Sequence, residues 1–138
     1  MSVQTDVTDN ALARQSSIFA VVSLAVIAGA AGVGLAAVAA HRIESPALAT
    51  AATMLMIHAV GVLGLAAIAQ RAASTGVWLS IAALMLIAVS LFSGDIALNT
   101  IAGRHIFPMA APIGGSALIA SWVAVAILAA VSAMKTRR

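Results

Sequence analysis

Residues 45–70 read SPALATAATMLMIHAVGVLGLAAIAQ, a run of 26 residues between Glu44 and Arg71 with no formal charge. At 1.5 Å per residue, about 20 apolar residues cross a hydrocarbon core of about 30 Å, so this run makes a membrane-spanning helix. Its first residues are a helix-start signal: proline needs no donor in the first turn, and the Ser45 hydroxyl can cap free amides. A strand does not fit, because the run alternates on neither face and membrane barrels use segments of about ten residues with a dyad repeat.

The same pattern recurs on both sides. Between Arg14 and Arg42 lie 27 uncharged residues, between Arg71 and Asp95 lie 23, and between Arg104 and Lys135 lie 30. Four spans are predicted, at about 18–40, 47–69, 77–101 and 112–134, flanked by an N-terminal segment (1–17) and a basic tail (135–138). The fold class is therefore all-α: a polytopic four-helix transmembrane bundle. Ser74 and Thr75 offer capping hydroxyls to the third span, and Trp78 falls at the level where an indole meets headgroups. The stretch from Arg104 to Pro112 holds two prolines and is expected to be either a short structured loop or a partly embedded, re-entrant one.

Composition agrees. Of 138 residues, 63% are apolar and 8% charged, where soluble domains average about 25% charged. The absence of cysteine removes disulfide, thiol and iron–sulfur chemistry. A net charge of +3 reflects few acids instead of a nucleic-acid surface, so the expected surroundings are the lipid bilayer, with no nucleic acid and no cofactor. Cations set direction: Arg14, Arg71, Lys135, Arg137 and Arg138 fall at one end, Arg42 and Arg104 at the other. That bias places both termini in the cytoplasm. The first apolar run is too long for a signal-peptide core, and Asp6 and Asp9 spoil a basic leader, so it reads as a retained span.

Alanine fills 35 positions and aromatic residues only five. Lipid does not drive helices together, so association must come from close backbone approach and interhelical polar contacts. Ala25, Ala28, Gly32, Ala36 and Ala39 form a flat stripe on the first helix, with smaller patches at Gly61 and Gly64 and at Gly114 and Gly115. The plain reading is packing within one chain; the sharper one is a homo-oligomer seam or a contact in a larger membrane complex.

Antiparallel helices can be compared by depth. Counting from midpoints near Gly29, His58, Ala88 and Val123, the levels of His58, Ser90, Ser121 and Trp122 agree within about 5 Å. The central cluster expected from this is His58 with Ser90 or Ser121 and the indole of Trp122. Asp95, Ser93, Ser116, Thr50 and Thr53 come out about 7–12 Å nearer the opposite end from the termini. Asp95, the one acid inside a span, needs a partner there, and His41, Arg42, Arg104 and His105 are the candidates. Asn99 shares its helix face. For His58 the plain reading is a neutral ring hydrogen-bonded within the bundle, and the sharper one a proton relay; for Asp95 the pair is a structural ion pair against proton coupling. His41 lies about 18 Å from His58 in depth, too far for shared haem ligation. The threonines and serines in the spans are expected to bond their own helix backbones.

The motifs resemble a known family. Ala39-Ala40-His41, Thr50-Ala51 with Ile57-His58-Ala59, Leu91-Phe92-Ser93-Gly94-Asp95, and Pro112-Ile113-Gly114-Gly115 with Ser121-Trp122 are similar to the YgdD-like small membrane proteins. These are grouped as domain of unknown function 423, with a eukaryotic transmembrane relative. The resemblance runs from about Gly29 to Val123. It implies a four-span protein of unknown molecular function, with His41, His58, Ser93, Gly94, Pro112, Gly114, Gly115 and Trp122 as the matching positions. This chain departs at Ala36-Ala37-Val38, where the family commonly has Gly-Ala-Phe, at Ala39 in place of its Gly, at Met54-Leu55 in place of Tyr-Gln, and at Ser121 in place of Gly.

No catalytic constellation and no metal-spaced ligand set is visible, so catalytic and metal residues are not assigned. The expected function is a small structural or accessory membrane subunit; the alternative is a small proton-linked transporter or channel using His58 and Asp95. A membrane enzyme with histidine as general base ranks third.

Overall fold

The computed structural model describes residues 2–136, with side chains for residues 8–135; the expected cation cluster at Arg137 and Arg138 lies outside the described residues. Four helices follow one another: α1 (Ser2–His41), α2 (Pro46–Arg71), α3 (Thr75–Ala102) and α4 (Ala110–Thr136). All four are long and apolar enough to cross a membrane. No strand occurs among the described residues.

The helix ends lie within a few residues of the expected span ends except at the start of α1. That helix begins at Ser2 and runs without a break through the segment expected to precede the first span. Forty residues at 1.5 Å each make about 60 Å, roughly twice the hydrocarbon thickness, so α1 projects beyond the other helices. α2 starts as its sequence indicates, with Pro46 in the first turn and the Leu48 amide donating to the Ser45 hydroxyl at 3.2 Å.

Packing is uneven. α1 meets α2 and α3, α3 also meets α4, and among the described residues the backbones of α4 and α2 do not meet, nor do those of α1 and α4. Buried residues make up 44% of the most apolar window of α2 and of α3, against 22% for α1 and 11% for α4. The α2–α3 hairpin is therefore the centre, with α1 and α4 as flanks whose other faces carry exposed Phe19, Ile27, Ile119 and Ile127. In water such faces would aggregate; in lipid they are the solvent-facing surface.

Small residues set the spacing. A Cβ on Gly32 would lie 3.1 Å from the Ala52 carbonyl and 2.6 Å from Met56 Cγ, so the α1 stripe is used against α2 within the chain. A Cβ on Gly114 would fall 2.6 Å from the Phe92 amide nitrogen and 2.8 Å from the Ala88 carbonyl, where backbone cannot yield. Here α4 lies directly on the backbone of α3. Gly64, by contrast, faces open space.

Two local expectations are corrected. Trp78 is 4% exposed and packs in the core near the α2–α3 turn, because it lies on the face of α3 that also buries Ala82 and Met85. Ser74 makes no capping bond to α3, and the Thr75 hydroxyl turns back to α2, within 3.0 Å of the Ala69 and Ala72 carbonyls.

Candidate functional site

Polar side chains meet at three levels. Near the middle, the Trp122 indole N–H on α4 donates to His58 Nε2 on α2 at 3.2 Å, and His58 Nδ1 lies 2.7 Å from the Met54 carbonyl one turn back. An indole only donates and a carbonyl only accepts, so the ring is a neutral imidazole with its proton on Nδ1. The rings meet edge-on, with centroids 6.1 Å apart. His58 is 5% exposed, whereas Trp122 is 47% exposed and rests on Gly61, where an added Cβ would meet the ring at 3.8 Å. Trp122 is thus the side chain by which α4 reaches α2 across a gap between backbones.

Ser90 and Ser121 stay out of this pair. Ser121 is fully buried and donates to the Ala117 carbonyl of its own helix at 2.8 Å. Ser90 is exposed in a groove between α1 and α3, because its helix face points away from α4.

Toward the end that carries the α1–α2 and α3–α4 connections, Asp95 is the organiser. One carboxylate oxygen accepts the backbone N–H of Ile106 at 2.8 Å, and the other accepts from His105 Nδ1 at 3.0 Å. The Asp95 side chain is 3% exposed and that of His105 55%. Asp95 stands seven residues before the end of α3, about 10 Å by helical rise, so the loop must fold back along the helix to reach it. Gly103 makes the turn possible: it takes the left-handed conformation (φ 64°) after the last turn, and its N–H donates to the Asn99 carbonyl. Met109, at φ 72°, makes the second turn into α4. Ile106 then packs beside Gly94, its Cδ1 at ordinary contact distance (3.7 Å) from where a Cβ would stand.

Of the four candidate partners of Asp95, His105 is the one that bonds it; His41, Arg42 and Arg104 are exposed, as is Asn99. Ser93, fully buried, donates to the Ala51 carbonyl of α2 at 2.9 Å and ties the central hairpin. Thr50, Thr53, Ser80 and Ser121 instead each bond a carbonyl four residues back in their own helix. Pro112 lies exposed in the first turn of α4, and Gly114 and Gly115 face α3 at Phe92.

At the opposite end, with the termini, lies a contact that the sequence reading missed. The Arg14 guanidinium on α1 donates to the carbonyls of Ala69, Gln70 and Ala72, each at 3.2 Å. These are among the carbonyls a helix C-terminus leaves unpaired, and a cation there also offsets the helix dipole. Depth counting could have found it, since Arg14 lies 15 residues before Gly29 and Ala72 14 after His58.

Among the described residues, every buried side-chain nitrogen and oxygen has a hydrogen-bond partner. The grooves at the α2–α4 gap, between α1 and α3, and beside Arg14 are lined by neither His58 nor Asp95. The molecule is thus a four-span helical membrane protein in which Arg14, His58, Ser93 and Asp95 tie helices and connections together. Residues 35–115 match the family model described as Protein of unknown function (DUF423), and the chain belongs to that family. The match takes in His41, His58, Asp95 and Gly114 and stops short of Trp122; no curated protein and no solved structure matches.

Proposed function

We propose that this is an integral protein of the bacterial inner membrane, with both termini in the cytoplasm, that acts as a small structural or accessory subunit. The observation that carries this reading is that the two ionisable side chains inside the spans, His58 and Asp95, are fully occupied by partners within the chain. His58 has a partner on each nitrogen, and Asp95 has one on each oxygen. A relay group must exchange partners with water or substrate, whereas these two hold a helix and a loop. α4, which buries little against its own chain, leaves a long apolar surface for a partner subunit or lipid. Sidedness is supported by Arg14, Arg71 and Lys135 at one end against Arg42 and Arg104 at the other.

The proton-linked alternative makes the opposite claim about the same residues, so one experiment separates them. In proteoliposomes under an imposed pH gradient, the wild type, His58→Ala and Asp95→Asn should all dissipate the gradient at the rate of empty vesicles. A protein-dependent proton flux abolished by either substitution would overturn the structural reading. Because the chain has no cysteine, sidedness can be read from single cysteines at Thr8 and Arg104, labelled in intact cells with an impermeant maleimide. Labelling at Arg104 and not at Thr8 is expected; the reverse would overturn the orientation.

A further inference from the structure

Where α4 stands off from α2, at the end carrying the termini, the surface opens into a groove of about 940 Å³. Ile68 of α2, Val77 and Trp78 of α3, and Leu128 and Val131 of α4 line it. Arg71 and Lys135 line it too, from the last turns of α2 and α4. No acidic side chain is among its lining residues. The volume is within the range of small-molecule sites, about 300–1,000 Å³.

Two cations on helices whose backbones do not touch, across an apolar groove, require an explanation beyond helix capping. Arg14 already serves the terminal carbonyls of α2, which leaves the Arg71 guanidinium to the groove. We infer that the groove holds one anionic phospholipid of the surrounding leaflet, its phosphate between Arg71 and Lys135 and an acyl chain against Val77, Leu128 and Val131. Charge selects the occupant. A second copy seated by the same groove would set its own Arg71 and Lys135 against these cations, and a soluble anion has no use for the apolar lining. An anionic lipid satisfies both parts and fills the space between α2 and α4 that Trp122 bridges farther along.

The test is native mass spectrometry of the full chain released from nanodiscs containing equal amounts of phosphatidylglycerol and phosphatidylcholine. The wild type should retain one phosphatidylglycerol in preference to phosphatidylcholine. Each cation near the surface is worth roughly a five-fold change in affinity, so R71Q/K135Q should reduce that preference about thirty-fold. V131W keeps both charges but fills the groove, and it should also lose the adduct; R42Q/R104Q, at the other end, should keep it. Equal retention of the two lipids by the wild type would overturn the inference. So would wild-type retention by a helical R71Q/K135Q, or a dimer that forms in place of the lipid adduct.

Discussion

The two ends of the bundle solve mirror-image problems with opposite charges. Where the termini lie, α2 stops and leaves carbonyls without donors, and Arg14 with Thr75 supplies donors to them. Where the long connection lies, the α3–α4 loop presents amides without acceptors, and Asp95 accepts from Ile106 and His105. The placement differs as well as the sign. Arginine works from a helix that overshoots the bundle, where its long side chain remains partly in water. The aspartate sits two turns inside its helix, nearly inaccessible, and the loop comes down to it. The difference teaches that a short acid must be brought close to its donors, while a long cation can reach its acceptors from outside. The end held by the acid should therefore be the more sensitive to substitution.

The strongest way to break the comparison is to pry α4 from α3 beside the acid-held end. Gly114→Val drives methyl groups into the Phe92 and Ala88 backbone and should cost about 3 kcal/mol of stability, read as a lower unfolding midpoint in detergent. Gly64→Val, facing open space, is the matched control and should leave the midpoint within about 0.5 kcal/mol. Next comes the acid itself. Asp95→Ala leaves the Ile106 amide without an acceptor at a cost of about 2 kcal/mol, and Asp95→Asn, which keeps one acceptor oxygen, about half of that. Equal losses for the two would mean that charge, and not acceptor geometry, holds the loop. Between the ends, Trp122→Phe removes the donor to His58 Nε2 while keeping an aromatic ring, and a loss of about 1 kcal/mol is expected. The smallest effect belongs to Arg14→Ala, at about 0.5–1 kcal/mol and diminished by salt, because two of its three bonds are exposed. A larger loss for Arg14→Ala than for Asp95→Ala would reverse the ranking of the two ends.

How much of this the sequence carries follows from which interactions are local. Charge-free runs longer than the bilayer is thick determine the number and ends of the spans, because burying a charge in hydrocarbon is costly whatever the partners. Ser45-Pro46 likewise acts within one turn. Depth counting brings His58 level with Trp122, and side chains at one level on nearby helices can meet. Which serine faces inward is a matter of helix rotation, set by packing, so Ser90 and Ser121 were not separable from the count alone. The partner of Asp95 was half legible: His105 follows from reach, but the Ile106 amide depends on a loop that doubles back through the left-handed turns at Gly103 and Met109. Trp78 misleads because an indole one turn from a span end suits a headgroup belt as well as a covered core position; the rotation of α3, which turns Trp78 inward with Ala82 and Met85, decides for the core. Arg14 was read as a boundary marker, since the helical continuation of α1 past the membrane has no hydrophobic signature.

The most direct test is hydrogen–deuterium exchange at the Ile106 amide, with the protein in nanodiscs. If Asp95 serves to hold the loop, the Ile106 amide is protected in the wild type. Protection should fall about thirty-fold in Asp95→Ala, equivalent to about 2 kcal/mol, while amides in the α2–α3 hairpin are unchanged. Ile106 exchanging as a free amide in the wild type, or unchanged protection in Asp95→Ala, would contradict a structural role for the buried acid.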